Sequence, residues 1–163
     1  MTPDHTFSGK AAPLFFPLFI DLSEKRITVI GGGKVAARRV RTIRDFSGQV
    51  TIVAPKVEPD LLTLAKDGLI ILCQRSFQPD DLMGADLVLT AAGAAVDEQV
   101  WQLCRERHIP VNVSSDKQKC DFFFPGIARR GSLVAGVTAG GTDHQTARRL
   151  TEAIRELLER FQG

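Results

Sequence analysis

Short apolar runs alternate with amphipathic stretches along most of this chain. Residues 27–30 form a β-branched run that stops at three glycines. Val35, Ala36, Val40 and Ile43 then recur at helical spacing, with arginines on the opposite face. This predicts strand, tight turn and helix. GQVTIVAP supplies a second strand closed by Pro55. Val57, Leu61, Leu62, Leu64 and Ala65 supply a short helix starting near Pro59, a residue suited to a first helical turn. Residues 69–72 and 87–91 are expected as a third and a fourth buried strand. Val96, Val100, Leu103 and Cys104 mark a helix ending before Ile109-Pro110, and residues 111–113 a fifth strand.

The pattern changes after about residue 117. Residues 121–124, 127–129 and 133–137 are expected as short strands, with a turn at Arg130-Gly131. A final helix is predicted over 145–161. Its apolar residues Ala147, Leu150, Ile154, Leu157 and Phe161 form one narrow seam, suited to a partner helix or to the chain's own sheet. Strands alternating with helices argue for an α/β fold with a doubly wound parallel sheet. The expected organisation is a flexible tail over 1–12, a nucleotide-binding domain over 13–116 and a small α+β segment over 117–163.

The glycines carry the chemistry. Gly31-x-Gly33-x-x-Ala36 follows a strand and opens a helix. There the first glycine permits a tight turn, the second lets backbone approach a pyrophosphate, and Ala36 lets the helix pack close to the sheet. Gly31, Gly32 and Gly33 are therefore expected to cradle a dinucleotide in a Rossmann-like domain, with the phosphates on the helix N-terminus. A magnesium-dependent phosphate loop is excluded, because Val35 follows Lys34 where serine or threonine must stand. The acid that usually ends the second strand and bonds the adenosine ribose is missing. That strand ends VAPK, so the residues alone leave NAD and NADP both open.

A net charge of +2 in 163 residues gives no argument for nucleic acid. Arginines cluster at 38, 39, 41 and 44 and again at 129, 130, 148 and 149, either as solvated helix faces or as a surface for an anionic small molecule. Cys73, Cys104 and Cys120 have neither disulfide-framework nor zinc-ligand spacing, and no metal site is predicted. The apolar stretch 14–20 is short and broken by Pro17; no membrane segment is expected and a cytoplasmic location is.

PLFIDLSEKRITVIGGGKVAARRV, VTIVAP, VNVSSDKQKCDFFFPGI and GGTDHQTARRLTEAI together resemble the siroheme-synthase dehydrogenase domain, in a short form. This is the precorrin-2 dehydrogenase family, often bifunctional with sirohydrochlorin ferrochelatase activity. The resemblance implies oxidation of precorrin-2 to sirohydrochlorin with NAD, and insertion of ferrous iron as a second step. It also implies a homodimer whose interface is built after residue 117. In the family, the residues matching Lys34, Val35, Pro55 and Lys56 contact NAD. The family's catalytic aspartate falls on Ser115, and the acid follows one residue later, at Asp116.

Dehydrogenation needs a hydride acceptor and a group to take a proton. Asp116, just past the fifth strand, is the first candidate for the proton, and the alternative is an aspartate capping a turn. His144, directly after Gly140-Gly141-Thr142-Asp143, is a candidate for proton transfer or iron ligation, or else a surface histidine. A module that senses NAD(H) without catalysis remains the alternative function. Such modules share the glycine loop but usually carry the acid after the second strand that this chain lacks.

Overall fold

The computed structural model describes residues 15–161, so the tail expected over 1–12 lies outside the described residues. The chain forms β1 (Arg26–Ile30), α1 (Lys34–Ile43), β2 (Gln49–Val53), α2 (Pro59–Lys66), β3 (Ile71–Cys73), β4 (Leu87–Thr90), α3 (Ala94–Arg107), β5 (Val111–Val113), β6 (Gly126–Arg130), β7 (Leu133–Val137) and α4 (His144–Arg160). The described residues divide into two compact units: Ile20–Pro125, and residues 126–161 together with 15–19.

In the larger unit, β1 to β5 form one parallel sheet in the order β3-β2-β1-β4-β5. Four of the five β1 residues are buried, as expected of a strand covered on both faces. The period of two divides the core. Ile27 and Val29 face Ala36, Ala37, Val40, Ile43 and Leu61 of α1 and α2. Ile30, Val53, Val88 and Val111 join Leu82, Val100 and Cys104 on the other face. Helices thus cover both faces, which is the doubly wound Rossmann-like arrangement the pattern predicts. Strand order turns back between β1 and β4, and ligands of such sheets bind in the crevice at the carboxyl ends there.

Local signals end the elements where they are expected. Pro59 opens α2. His108 takes a left-handed φ of 55° and stops α3, two residues before Pro110. The third strand departs from expectation: it spans Ile71–Cys73 at the sheet edge, with Ile71 62% exposed, while Ile70 is buried just before it. Residues 121–124 form no strand. The Asp121 carboxylate accepts from the Val111 N–H at 2.9 Å, and the Asn112 amide donates to the Phe122 carbonyl at 2.7 Å. Side chains here take the bonds that a ladder would use. Phe122 and Phe124 pack onto the α1 side of the core.

The smaller unit is the β6–β7 hairpin with α4 across it. Gly131, with φ of +59°, makes its turn. The Arg155 guanidinium donates to the Ile127 carbonyl at 2.8 Å, and Arg130 to the Leu158 carbonyl at 2.6 Å near the end of α4. The seam expected on α4 is divided. Buried Thr151 and half-buried Ala147, Ile154 and Leu158 occupy one stripe of the helix, whereas Leu150, Leu157 and Phe161 are 50%, 64% and 53% exposed. Thr151 takes an inward place because it satisfies its own hydroxyl, which donates to the Ala147 carbonyl at 2.7 Å. Hydrophobic spacing alone does not reveal that.

Candidate active site

The glycine loop leaves β1 at the crevice. Gly31 has φ of +115°, and a Cβ on it would lie 2.6 Å from the Ala91 carbonyl carbon. A Cβ on Gly32 would lie 2.6 Å from Val57 Cγ1. Both are closed by the protein's own packing. Gly33 differs: it is exposed and extended, and a Cβ there would meet nothing within 4 Å. The loop is pinned on both sides, by Gly31 N–H to the Val53 carbonyl at 2.9 Å and Glu58 N–H to the Gly32 carbonyl at 2.8 Å.

Helix α1 starts immediately afterwards, with no side-chain cap and no acid in its first turn. Its first internal bond runs from Ala37 N–H to the Gly33 carbonyl, so the preceding amides are the unpaired donors of a helix start. Open space over Gly33, free amides and a positive helix end suit the pyrophosphate of a dinucleotide. A groove of about 300 Å³ continues from it, lined by Lys34, Val35, Ala37, Arg38, Arg41 and Glu58. Pro55 and Lys56 are exposed in the loop that carries Glu58. The structure therefore brings Gly31, Gly32, Gly33, Lys34, Val35, Ala36, Pro55 and Lys56 to one edge of the sheet.

Glu58 is a residue the sequence reading passed over. It lies five residues beyond β2, but its backbone bond to Gly32 carries it back to the loop. Its half-buried carboxylate makes no hydrogen bond or ion pair among the described residues. The early arginines separate. Arg41 pairs with Asp60, and Arg38 is exposed on the groove. Arg39 lies 5.6 Å over the Phe124 ring, where burial pulls its guanidinium below its ordinary range.

The loop after β5 holds the other candidates. Asp116 caps a short 3₁₀ turn: one carboxylate oxygen accepts from the Gln118 N–H at 2.9 Å, and the other lies 3.7 Å from Lys119 Nζ. Lys119 in turn pairs with Glu98, a bond that raises its ammonium above the usual range. Ser115 is exposed, and its hydroxyl donates to Asp97 Oδ2 at 2.7 Å. Asp97, in the first turn of α3, is 1% exposed. Its Oδ1 accepts from the Thr90 hydroxyl at 2.5 Å and from the Ala92 N–H at 2.9 Å. A signal for Asp97 was present in the sequence, since it precedes Val100 and Cys104 on the buried face of the helix.

His144 lies in the smaller unit, exposed at the first position of α4. Asp143 caps that helix by accepting from the Thr146 N–H at 2.9 Å, which holds its carboxyl below the usual range. Cys104 is buried and its thiol is pushed up to about 12 by desolvation. Cys120 exchanges hydrogen bonds of 3.2 Å with the Val113 backbone. Among the described residues, no group of three His, Cys, Asp or Glu side chains is arranged to hold a metal ion, and no helix is long and apolar enough to cross a membrane.

The sheet order, the glycine loop and the open crevice define a dinucleotide-binding protein. The chain belongs to the family described as "Putative NAD(P)-binding", which matches residues 18–126. It is 34% identical over 150 residues to the siroheme synthase of Zymomonas mobilis subsp. mobilis, covering 91% of this chain and 32% of that protein. It is 35% identical over 150 residues to siroheme synthase 1 of Aeromonas hydrophila subsp. hydrophila, with the same coverage. The chain thus spans about a third of the length of these curated relatives. Among solved structures it resembles SirC, a precorrin-2 dehydrogenase, with a TM-score of 0.74 at 21% identity over 88% of this chain and 70% of that one. That likeness is one of fold.

Proposed function

We propose that this chain oxidises precorrin-2 to sirohydrochlorin with NAD, as a step of siroheme biosynthesis. The observation that carries the reading is a buried carboxylate, that of Asp97, beside the dinucleotide loop. Gly31 abuts Ala91, and the Ala92 amide next to it holds the carboxylate that takes the Ser115 hydroxyl. Bound NAD supplies the hydride acceptor. The amides after Gly33 hold its pyrophosphate, and the loop after β5 receives the proton. Likeness to two siroheme synthases and to the fold of a precorrin-2 dehydrogenase supports the choice of substrate.

Incubation with precorrin-2 and NAD tests the reading directly, by the appearance of NADH together with the sirohydrochlorin absorption. NADH binding without turnover would make the chain a sensing module instead. Adding ferrous iron after oxidation tests the chelation step, in which iron is a substrate. Loss of that step alone in a His144→Ala variant would assign His144 to it. Asp116→Ala and Ser115→Ala, assayed side by side, decide which residue of the loop serves the oxidation.

NAD is the proposed cofactor over NADP because Glu58 supplies a carboxylate in the groove where a 2′-phosphate would bring a second negative charge. NADH is expected to bind more tightly than NADPH. Glu58→Gln should narrow that preference by about tenfold, the effect of one charge-assisted hydrogen bond. Fluorescence titration with both cofactors measures it. Equal or tighter NADPH binding by the unaltered protein would mean that Lys34, Arg38 and Lys56 read the phosphate. The chain is also proposed to act as a homodimer, through the exposed stripe of α4.

A further inference from the structure

We infer that Asp97 is the terminal proton acceptor of the oxidation and that it works through Ser115, the two forming a relay at the end of β5. The inference rests on the reading above and deepens it. Proton removal at this edge needs a base, and a serine hydroxyl alone is a poor one. The acid beside it in sequence is engaged elsewhere, since Asp116 spends its carboxylate on the Gln118 N–H and faces Lys119. Asp97 is held more fully, but one of its oxygens is turned to the serine. Its Oδ1 takes two donors, the Thr90 hydroxyl and the Ala92 amide, which fix the carboxylate in place. Its Oδ2 has one donor among the described residues, the Ser115 hydroxyl at 2.7 Å.

Burial divides the labour. At 1% exposure Asp97 cannot meet a macrocycle, whereas Ser115 is exposed at the edge where the cofactor loop ends. A substrate C–H bond breaks and its electron pair leaves with the hydride, which the oxidant NAD takes up. A second hydrogen leaves the macrocycle as a proton to Ser115 Oγ, while the proton already on Ser115 passes to Asp97 Oδ2. Asp97 becomes a neutral acid and afterwards returns the proton to solvent by the same path. Ser115 touches the substrate; Asp97 is a positioning residue in that it acts only through the serine.

Asp97→Asn separates this role from a structural one. Its amide oxygen still accepts from Thr90 and Ala92, and its NH₂ donates to Ser115 Oγ, so the loops stay tied but no proton can be taken. Asp97→Asn and Ser115→Ala are each expected to lower kcat by roughly 10²–10⁴-fold, the range for a general base. KM for precorrin-2 and NADH affinity should change little in either, and the melting temperature should change little in Asp97→Asn, where the bonds are kept. Residues that act as a unit are not additive, so the double variant should lose no more than either single one. Moving the carboxylate outward, in Ser115→Asp combined with Asp97→Asn, should restore turnover and alter its pH profile. An Asp97→Asn variant that oxidises precorrin-2 at the original rate overturns the relay. So does one whose lost activity follows lost NADH binding or a lower melting temperature. If Asp97→Asn does not fold, Ser115→Ala and Ser115→Thr decide: alanine is expected to lose turnover and threonine, which keeps the hydroxyl, to retain it, and equal rates in the two overturn the relay. An unaltered protein that binds NADH but never oxidises precorrin-2 removes the reading and the relay together; an active one with indifferent variants removes the relay alone.

Discussion

Gly33→Asp is expected to abolish NADH binding while leaving the fold intact. The new side chain would stand in open space, since a Cβ at Gly33 meets nothing within 4 Å. Its carboxylate would oppose the pyrophosphate and compete for the free amides of α1. Losing two charge-assisted bonds, each worth about 1.5–3 kcal/mol, weakens binding by roughly 10²–10⁴-fold. Gly31→Ala is expected to do the reverse. There φ is +115° and the methyl would press on the Ala91 backbone, so the damage falls on folding. A cost of about 2 kcal/mol or more lowers the melting temperature by roughly 4–8 °C in a chain of this size. Calorimetry and NADH titration on both variants read the two effects separately. Normal NADH affinity in a folded Gly33→Asp protein would show that the loop does not cradle the pyrophosphate.

The second large effect concerns assembly. Leu150, Leu157 and Phe161 lie outward on α4, and Phe16, Leu18 and Phe19 of the same unit are 88%, 73% and 73% exposed. So many large apolar side chains in one small unit call for a covering surface, and a second copy of the chain is the proposed one. Sedimentation at micromolar concentration should report a dimer. Leu150→Asp with Leu157→Asp should dissociate it, raising the dissociation constant by at least about 100-fold if each leucine contributes roughly 1.5–3 kcal/mol. Neither residue is buried within its own chain, so the variant should keep its secondary structure by circular dichroism. Ile154 is a poorer choice of target, because it is half-buried within its own chain and a charge there would unfold α4 as well. A monomeric unaltered protein would defeat the proposal.

Much of this molecule is legible from residue pattern because its central strands are covered on both faces. Such strands read as near-continuous apolar runs, and β1, β2 and β4 lie where those runs lie, as does β5, a fully buried strand at one edge of the sheet. Legibility fails where a side chain substitutes for backbone. Residues 121–124 look like a strand by composition, yet the Asp121 carboxylate and Asn112 amide take the positions of ladder partners. It fails at β3 because this edge strand, unlike β5 at the other edge, buries little, and on α4 because Thr151 can turn inward at no hydrogen-bonding cost. In the site, Lys34 and Val35 adjoin the loop in sequence, whereas Pro55, Lys56, Ser115 and Asp116 lie far from it and were legible through the family resemblance. Glu58 and Asp97 reach it only through the backbone bond to Gly32 and the first turn of α3.

The Asp97–Ser115 bond also sets an order on the substitutions this loop can accept. An aspartate introduced at 115 beside an unchanged Asp97 would bring two carboxylates to the separation now spanned by one hydrogen bond. Like charges so close cannot both ionise, and the pair would hold one proton in common and titrate as a unit. Replacing Asp97 first empties that position of charge, and the change at 115 then meets an amide that can donate to it. Two positions that a residue-by-residue comparison would score independently are thus joined in a sequence of steps, passable in one direction and obstructed in the other.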